Sequence, residues 1–587
     1  MKELEPRLGS LLKSISGQPY QKIQKLRGSF VFPQFTFQFL RIQGSPGANP
    51  ASIATVKISR KASEVPESCF TTPHNRLALA DFLIRRFNLG IDQFAQQNRG
   101  KDGSGSFHTI VLSQKMLERD SVLFGDKEIE LRFIFSLPAK DQGGRTFDAE
   151  QADLMFNQEL VAIVDFTFYY KNYDEASRNL LNQFQEIQNT RQKITQFMKQ
   201  HDLIGFINNG ACLARLSGIN DKPAIGAEIK KFQSPETCQI DIPLSESNNI
   251  QGMAIKQGIT CITGGGYHGK STLLQAILSG VYAHIPNDGR EYIVTREDAV
   301  FIRAEEGRSI QQTNISSFIR QLPNGIKTNL FSTANASGST SQAASIVESF
   351  EAGSRLMLFD EDTCATNFLF RDTLINKVLD SAIDPIKPLY YTIRSLWKQH
   401  QVSMIFVVGG LGSFLQKADH CLQMDNYICK DITNKVREQL GEIIGDENTN
   451  LNFDNDRFLS LNNFNPAYTN QRLKKEIPKR IKDLRNAPKQ LEYGMDQINL
   501  EALPQLVEAP QMLSIGYCLL MLRTAMQKKS EETQTIESWL KWLYGKLEQQ
   551  GMSCLAADYP GTLSLPRKYE VAAAINRIRS LKVTKKR

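Results

Sequence analysis

The chain has 587 residues, too many for one hydrophobic core, so two to four domains are expected; 41% hydrophobic and 22% charged residues describe an ordinary soluble globular protein. The longest apolar runs, such as Met404 to Val408, fall far short of the roughly 18 to 20 residues that span a bilayer, and the start MKELEPRLGS has no apolar secretory core. Nine scattered cysteines without a CxxC pair argue against a disulfide framework or a zinc site, so a reducing, cytoplasmic setting without membrane contact is expected.

Residues 1–163 carry short apolar runs broken by Gly, Pro and Ser: Phe30 to Phe39, an alternation around Val56, and Ile129 to Leu137. Helical recurrence of apolar residues over Arg76 to Phe87 adds a helix, so this zone is expected to be a mixed α+β domain. The stretch Arg99-Gly100-Lys101-Asp102-Gly103-Ser104-Gly105-Ser106 predicts a flexible loop.

From 164 to 430, strand-like and helix-like runs alternate. Ile259 to Thr263 leads into a Gly-rich loop and Ser271 to Leu278 continues as a helix. Ala299 to Ala304, Arg355 to Phe359 and Ser403 to Val408 each have the length of a buried parallel strand, which predicts an α/β nucleotide-binding core. Residues 431–470, with Glu447-Asn448-Thr449-Asn450 and Asn462-Asn463, predict a loop-like linker. Residues 471–587 predict a helical domain, with Met512 to Met526 and Ile536 to Leu547 the best helices.

The net charge of +8 is modest but unevenly placed. It gathers at Arg472, Lys474, Lys475, Lys479, Arg480, Lys482, Arg485 and Lys489, and again at Arg577, Arg579, Lys582, Lys585, Lys586 and Arg587. Such clusters suit a polyanion backbone; the alternative is a solvated helix face plus a frayed basic tail.

Three motifs carry chemistry. Gly264-Gly265-Gly266-Tyr267-His268-Gly269-Lys270-Ser271 matches G-x-x-x-x-G-K-[ST] at every specified position, between an apolar strand and an apolar helix. Its glycines let backbone N–H groups turn inward on phosphates, and the helix that follows adds its positive dipole end. Lys270 is then placed to contact the β- and γ-phosphates and the Ser271 hydroxyl to hold Mg²⁺, so ATP and Mg²⁺ are the expected cofactors and the binding set runs from Gly264 through Thr272. Tyr267 and His268 occupy free positions of the loop and receive no chemistry.

The second motif is Leu356-Met357-Leu358-Phe359-Asp360-Glu361, a buried strand ending in two acids 90 residues beyond Lys270. Asp360 is placed to bind the metal, usually through a water, and Glu361 to polarise or deprotonate the nucleophile. The third is Asn335-Ala336-Ser337-Gly338-Ser339-Thr340, a Ser-Gly-Ser turn opening a helix with Ala343, Ile346, Val347 and Phe350 on one face. Unpaired N–H groups and hydroxyls there make an anion site, and Ser337 precedes Asp360 by 23 residues, so one helix links the turn to the acidic strand.

These motifs resemble ATP-binding-cassette ATPases, in which a Ser-Gly-Gly-type signature precedes the acidic strand by this interval and completes the opposite protomer's site. Thr363-Cys364-Ala365-Thr366-Asn367 falls where that family has its D-loop. The chain also resembles, along nearly its whole length, the family called predicted ATPase of the ABC class, which has no transporter subunits. The resemblance rests on LRGSFVFPQF (26–35), GITCITGGGYHGKSTLLQAI (258–277), GVYAHIPNDGREYIVT (280–295), IRAEEGR (302–308), ASGSTSQAASIVE (336–348), LFDEDTCATNFLFRD (358–372), FVVGGLGSF (406–414) and YEVAAAINRIRSLKV (569–583). It implies an α/β P-loop ABC-type ATPase core with an α+β N-terminal domain and a small helical C-terminal domain. It also implies ATP-dependent homodimerisation, and a branch of the family is linked with RNA.

Departures are present. Where ABC ATPases have a switch histidine, this chain has Gly409-Gly410-Leu411-Gly412-Ser413, with no histidine until His420; a glycine has no side chain for the γ-phosphate, so slow hydrolysis or another sensor is expected. Ser16-Gly17-Gln18-Pro19-Tyr20 replaces a more Gly- and Lys-rich stretch. No glutamine stands out for the Q-loop, leaving Glu305 or Glu306 as the substitute. The leading reading is an ATPase switch: Lys270, Ser271, Asp360 and Glu361 of one protomer, with Ser337, Gly338 and Ser339 of the other over the γ-phosphate. The rivals are a nucleic-acid-binding protein that uses ATP as a structural or regulatory ligand, and a P-loop kinase, which leaves the Ser-Gly-Ser turn and the Asp-Glu pair without a role.

Overall fold

The computed structural model describes all residues except 1–4, 44–51, 97–98, 100–103, 141–145, 219, 227, 323–324, 373–383, 447–449, 454–455, 461–488, 495, 529–532, 557–560 and 586–587. Residues 100–103 of the expected loop at 99–106, Glu447 to Thr449, Asn462-Asn463 and the basic residues from Arg472 to Arg485 therefore lie outside the described residues.

At the N-terminal end, the strands Gly28–Val31, Thr36–Arg41, Ser52–Ser59, Glu128–Ser136 and Ser106–His108 pair antiparallel in that order. Their period-two alternation sends Phe37, Phe39, Phe133 and Phe135 inward against Phe156, with ring centroids 5.2–5.7 Å apart for Phe37–Phe156, Phe39–Phe156 and Phe135–Phe156. The helix Pro73–Phe94 covers this sheet; Thr72 caps it and proline opens it. The expected boundary at 163 cuts the helix Leu160–Phe168, whose Ile163, Val164 and Phe168 lie in the N-terminal core, so the boundary is corrected to a position beyond that helix.

The core is a six-stranded sheet in the order Ala299–Ile302, Leu356–Asp360, Ser403–Val407, Ile259–Thr263, His420–Asp425, Ile428–Asp431, parallel except for the last hairpin. The first four strands are covered on both faces, which is why they read as continuous apolar runs. Ile262, Leu358, Ile405 and Val407 face one side with the helix Lys270–Ser279. Ile259, Cys261, Met357, Phe359 and Phe406 face the other with the helix Gly338–Glu351. A second, antiparallel sheet (Gln239–Ser245, Asn248–Lys256, Leu203–Asn208, Val294–Thr295) and the long helix Glu175–Gln200 flank the first face.

The C-terminal part holds the helices Ala509–Lys528, Ile536–Gln550 and Lys568–Asn576 with two small antiparallel sheets. Its apolar side chains, Trp539 and Ile575 among them, belong to the same continuous core as the face carrying Gly338–Glu351. The expected linker at 431–470 is corrected accordingly. Thr433–Leu440 is a helix, Leu451, Phe453 and Leu459 are buried, and Arg457–Leu459 pairs with Gln534–Thr535 and Thr584–Lys585. The polar composition hid a few spaced apolar residues that fasten this segment to the core.

Candidate nucleotide site

The phosphate loop leaves the strand Ile259–Thr263 and is bent by glycines at two places where nothing larger fits. Gly264 has φ +141°, and a Cβ there would strike the Met424 carbonyl; Gly269 has φ +99°, with a Cβ only 2.7 Å from the Tyr427 ring. Lys270 opens the helix and its Nζ donates to the Gly264 and Gly265 carbonyl oxygens, both at 2.8 Å. At the far end of that helix Arg191 donates to the Gly280 carbonyl at 2.9 Å and Arg290 to Ser279 Oγ at 3.2 Å, cations where the helix dipole favours them.

His268, to which the sequence assigned nothing, is the loop's fastener. Its Nδ1 accepts the Asn426 N–H at 3.1 Å and its carbonyl accepts the Tyr427 N–H at 3.0 Å, binding the loop to the turn after His420–Asp425. Tyr267 has a positive φ of 64° and is 99% exposed, so its ring stands clear of the loop.

Asp360 ends its buried strand at 7% exposure. Burial raises its carboxyl pKa; the Asp362 N–H at 3.3 Å and a side-chain hydrogen bond with Ser271 oppose this without reversing it. The Ser271–Asp360 contact joins the start of the loop helix to the acidic strand. Among the described residues no group of three His, Cys, Asp or Glu side chains could hold a metal ion, so a hydroxyl and one carboxylate are the protein donors here. That donor set fits Mg²⁺, which commonly uses one or two carboxylates and takes its other oxygens from water and phosphate.

Glu361 is held by backbone. Its Oε2 accepts the Gly409 N–H at 2.6 Å and the Gly410 N–H at 3.0 Å. Both glycines follow the strand Ser403–Val407, which lies between the loop strand and the acidic strand. A Cβ on Gly409 would stand 3.9 Å from both Glu361 Oε2 and Lys270 Nζ, and one on Gly410 would come within 3.2 Å of Glu361 Oε1. The place of a switch histidine is thus taken by two amides that grip the acid. His420 is no substitute: it pairs in register with Thr260, roughly 13 Å of strand away from Gly264.

Ser337 caps the helix Gly338–Glu351; its Oγ accepts the Thr340 N–H at 3.4 Å. Gly338 is packed between Ala304 and Ala365, each 3.4 Å from a Cβ built on it. Ser339 is 7% exposed, so of the Ser-Gly-Ser triplet Ser337 alone presents its side chain outward. Gln342 accepts the Ala365 N–H at 3.0 Å, tying this helix to Thr363–Asn367. The turn itself leans on the loop after Ala299–Ile302: Gly307 N–H donates to the Ala336 carbonyl at 2.8 Å and Ala336 N–H to the Arg308 carbonyl at 2.9 Å.

Of the two Q-loop candidates, Glu305 is committed elsewhere. Burial pushes its carboxyl up, Arg577, Arg308 and Arg303 more than offset this, and its oxygens pair with the Arg577 guanidinium. Glu306 is the exposed one, with Oε1 3.7 Å from a Cβ built on Gly338. The second basic cluster is partly internal for the same reason: Arg577 is buried and Arg579 is bonded to main-chain carbonyls, while Lys582 faces solvent. Lys489 donates to the Leu503 carbonyl at 2.9 Å.

Sheet order keeps the two anion turns of one chain apart. The Ser337 turn adjoins the loop after Ala299–Ile302, the edge strand, three positions from the phosphate-loop strand. At ~4.8 Å per strand this is roughly 14 Å.

Comparison with known proteins agrees on the family. The P-loop domain of ABC_ATPase matches residues 177–475, the ATPase of the ABC class N-terminal model matches 6–171, and the MRB1590 C-terminal domain model matches 485–584. The uncharacterized protein MJ1628 of Methanocaldococcus jannaschii is 33% identical over 217 residues, 36% of this chain and 47% of that protein, so the chain spans about half the length of that relative. Among solved structures, cbiO1 from Clostridium perfringens, part of the ABC transporter complex cbiONQ, is 15% identical with a TM-score of 0.25 over 41% of this chain and 92% of its own. A putative metal-chelate type ABC transporter in an inward-facing conformation is 15% identical with a TM-score of 0.23, over 41% of this chain and 88% of its own. No helix among the described residues is long and apolar enough to cross a membrane.

Proposed function

This chain belongs to the ABC_ATPase family of P-loop proteins, and from that premise we propose that it binds ATP with Mg²⁺ at a site completed by a second copy of itself and hydrolyses it as a conformational switch. The observation that carries the reading is the separation of the two anion turns: the Ser337 turn sits three strands from the phosphate loop, too far for both to meet the same γ-phosphate within one chain. Two protomers related head to tail bring each Ser337 turn over the other's loop, an isologous arrangement with two equal sites.

In each site the loop amides and Lys270 hold the phosphates, and Ser271 and Asp360 hold Mg²⁺. The metal supplies charge neutralisation on the phosphate oxygens. Glu361 orients the attacking water and takes its proton; the Gly409 and Gly410 amides fix the carboxylate that does this. Ser337 from the partner protomer and the N-terminal amides of its helix face the γ-phosphate, so the interface closes only when that phosphate is present. Hydrolysis removes the bridging charge and releases the pair.

Glu361→Gln keeps the amide contacts and removes the base. With ATP and Mg²⁺ it is expected to run as a dimer in size-exclusion chromatography with light scattering, and to lose about 100-fold or more in turnover. A monomer with unchanged turnover would refute the role given to Glu361.

A further inference from the structure

The Ser337 turn is not anchored by its own helix alone. It forms one unit with residues 304–308, through the paired amides of Gly307 and Ala336 and through Glu305 N–H, which donates to Ser341 Oγ at 2.9 Å. This unit is gripped from a distant part of the chain. At the end of the helix Lys568–Asn576, Arg577 Nε donates to Glu305 Oε2 at 3.0 Å, and a second nitrogen of the same guanidinium reaches the other carboxylate oxygen. Two residues on, one guanidinium spans both halves of the unit: Arg579 donates to the Ala334 carbonyl at 2.7 Å and to the Gly307 carbonyl at 3.0 Å. The Arg579 carbonyl in turn accepts from Gln311 Nε2 at 3.2 Å.

The opposite end of the Gly338–Glu351 helix is held from the same side. Arg457, fully buried, donates through Nε to Glu351 Oε2 at 3.1 Å and through a second nitrogen to Asn576 Oδ1 at 2.7 Å. Between these two ends Val571, Ala574 and Ile575 share one apolar core with Ala343, Ile346 and Val347. The helix behind the Ser337 turn is therefore clamped at both ends and along its length to the C-terminal domain, so the two move together.

We propose that Arg577 and Arg579 are positioning residues for the nucleotide site: they hold the Ser337 turn in the shape that meets the partner protomer's γ-phosphate, and so couple the C-terminal domain to ATP-driven dimerisation. The proposal rests on the dimer reading above. By linkage, whatever engages the C-terminal domain and shifts Arg579 changes ATP-dependent closure, and closure changes its affinity for the C-terminal domain by the same factor. The same bonds explain why these two arginines, despite their place in a basic cluster, are not offered to a polyanion.

Arg577 is buried against a carboxylate, and its removal would strand a buried charge; Arg579 is exposed and is the cleaner probe. The experiment uses the full chain carrying Arg579→Ala or Arg579→Lys, each with and without Glu361→Gln. In hydrogen exchange, Gly307 and Ala336 are expected to exchange about 30-fold faster in Arg579→Ala, the loss of its two hydrogen bonds to the Ala334 and Gly307 carbonyls, with Leu273 to Leu278 unchanged. In the Glu361→Gln background, half-dimerisation is expected to need roughly 10-fold more ATP, with Arg579→Lys in between, while the thermal midpoint is kept. Unchanged exchange at Gly307 and Ala336 overturns the anchoring. Faster exchange with an unchanged ATP requirement overturns the positioning role. Failure of Glu361→Gln alone to dimerise strikes the dimer reading itself, and the positioning role falls with it, whereas the exchange result still decides whether Arg579 anchors the turn.

Discussion

The phosphate loop and the Ser337 turn are both glycine- and serine-bearing turns that open a helix beyond the C-terminal ends of strands in one sheet, yet they are built in opposite ways. The loop is nearly self-sufficient: glycine conformations at Gly264 and Gly269, a lysine folded back on its own carbonyls, and His268 fastened to the neighbouring turn set its shape. The Ser337 turn borrows its shape from Gly307 and Arg308, some 30 residues earlier, and from Arg579, 245 residues from Ala334. A turn fixed by its own backbone serves as a constant binding cradle. One fixed by remote residues can be moved by them, which suits a surface that must close and release.

Three substitutions probe this contrast. Lys270→Ala removes the cation that the cradle aims at the phosphates; ATP binding measured by calorimetry is expected to weaken by about 100-fold or more, the scale for loss of one charge-stabilising donor in a preorganised site. Retained affinity would contradict the loop assignment. Gly410→Ala brings a methyl within 3.2 Å of Glu361 Oε1 and moves the carboxylate by a fraction of an ångström. Turnover is expected to fall about 10-fold with ATP affinity unchanged, less than the roughly 100-fold that a displacement of about 1 Å at a reacting group costs. An unaltered turnover would mean that Glu361 does not act from this position. His268→Ala cuts one contact between the loop and the Asn426 turn, and a loss of about 5-fold in affinity is expected, the worth of a single hydrogen bond of about 1 kcal/mol. A 100-fold loss there would show that the cradle depends on its neighbours as heavily as the Ser337 turn does.

Much of this was legible in the sequence, and unevenly so. Four of the six core strands announced themselves because strands covered on both faces are apolar throughout, and Asp360 with Glu361 after it closed one of them; His420–Asp425 and Ile428–Asp431 did not, because their apolar residues are interrupted by polar ones. The helices of the C-terminal domain emerged at Ala509–Lys528 and Ile536–Gln550, where apolar periodicity over Met512 to Met526 and Ile536 to Leu547 put them. The segment after 431 was misread because Asn and Asp outnumber the few apolar anchors, Leu451, Phe453 and Leu459, that fix it. Within the site, Gly409-Gly410 was visible as the loss of a side chain, but not as a gain of two aligned amides, since backbone donors leave no mark in composition. Arg577 and Arg579 looked like exposed charge because sequence shows a cation and not its partner; Glu305 and the carbonyls of Ala334 and Gly307 lie 245 to 272 residues away.

The central claim is that each nucleotide site is shared between two protomers, and mixing two damaged chains tests it most directly. Lys270→Ala spoils the cradle and leaves the Ser337 turn intact; Ser337→Arg blocks the turn and leaves the cradle intact. Each alone is expected to be inactive. Mixed in equal amounts, half of the dimers join one of each and carry one undamaged composite site, so ATP turnover is expected to return to about a quarter of the unmodified protein's rate. A mixture no more active than its two components would contradict a site completed by the second protomer.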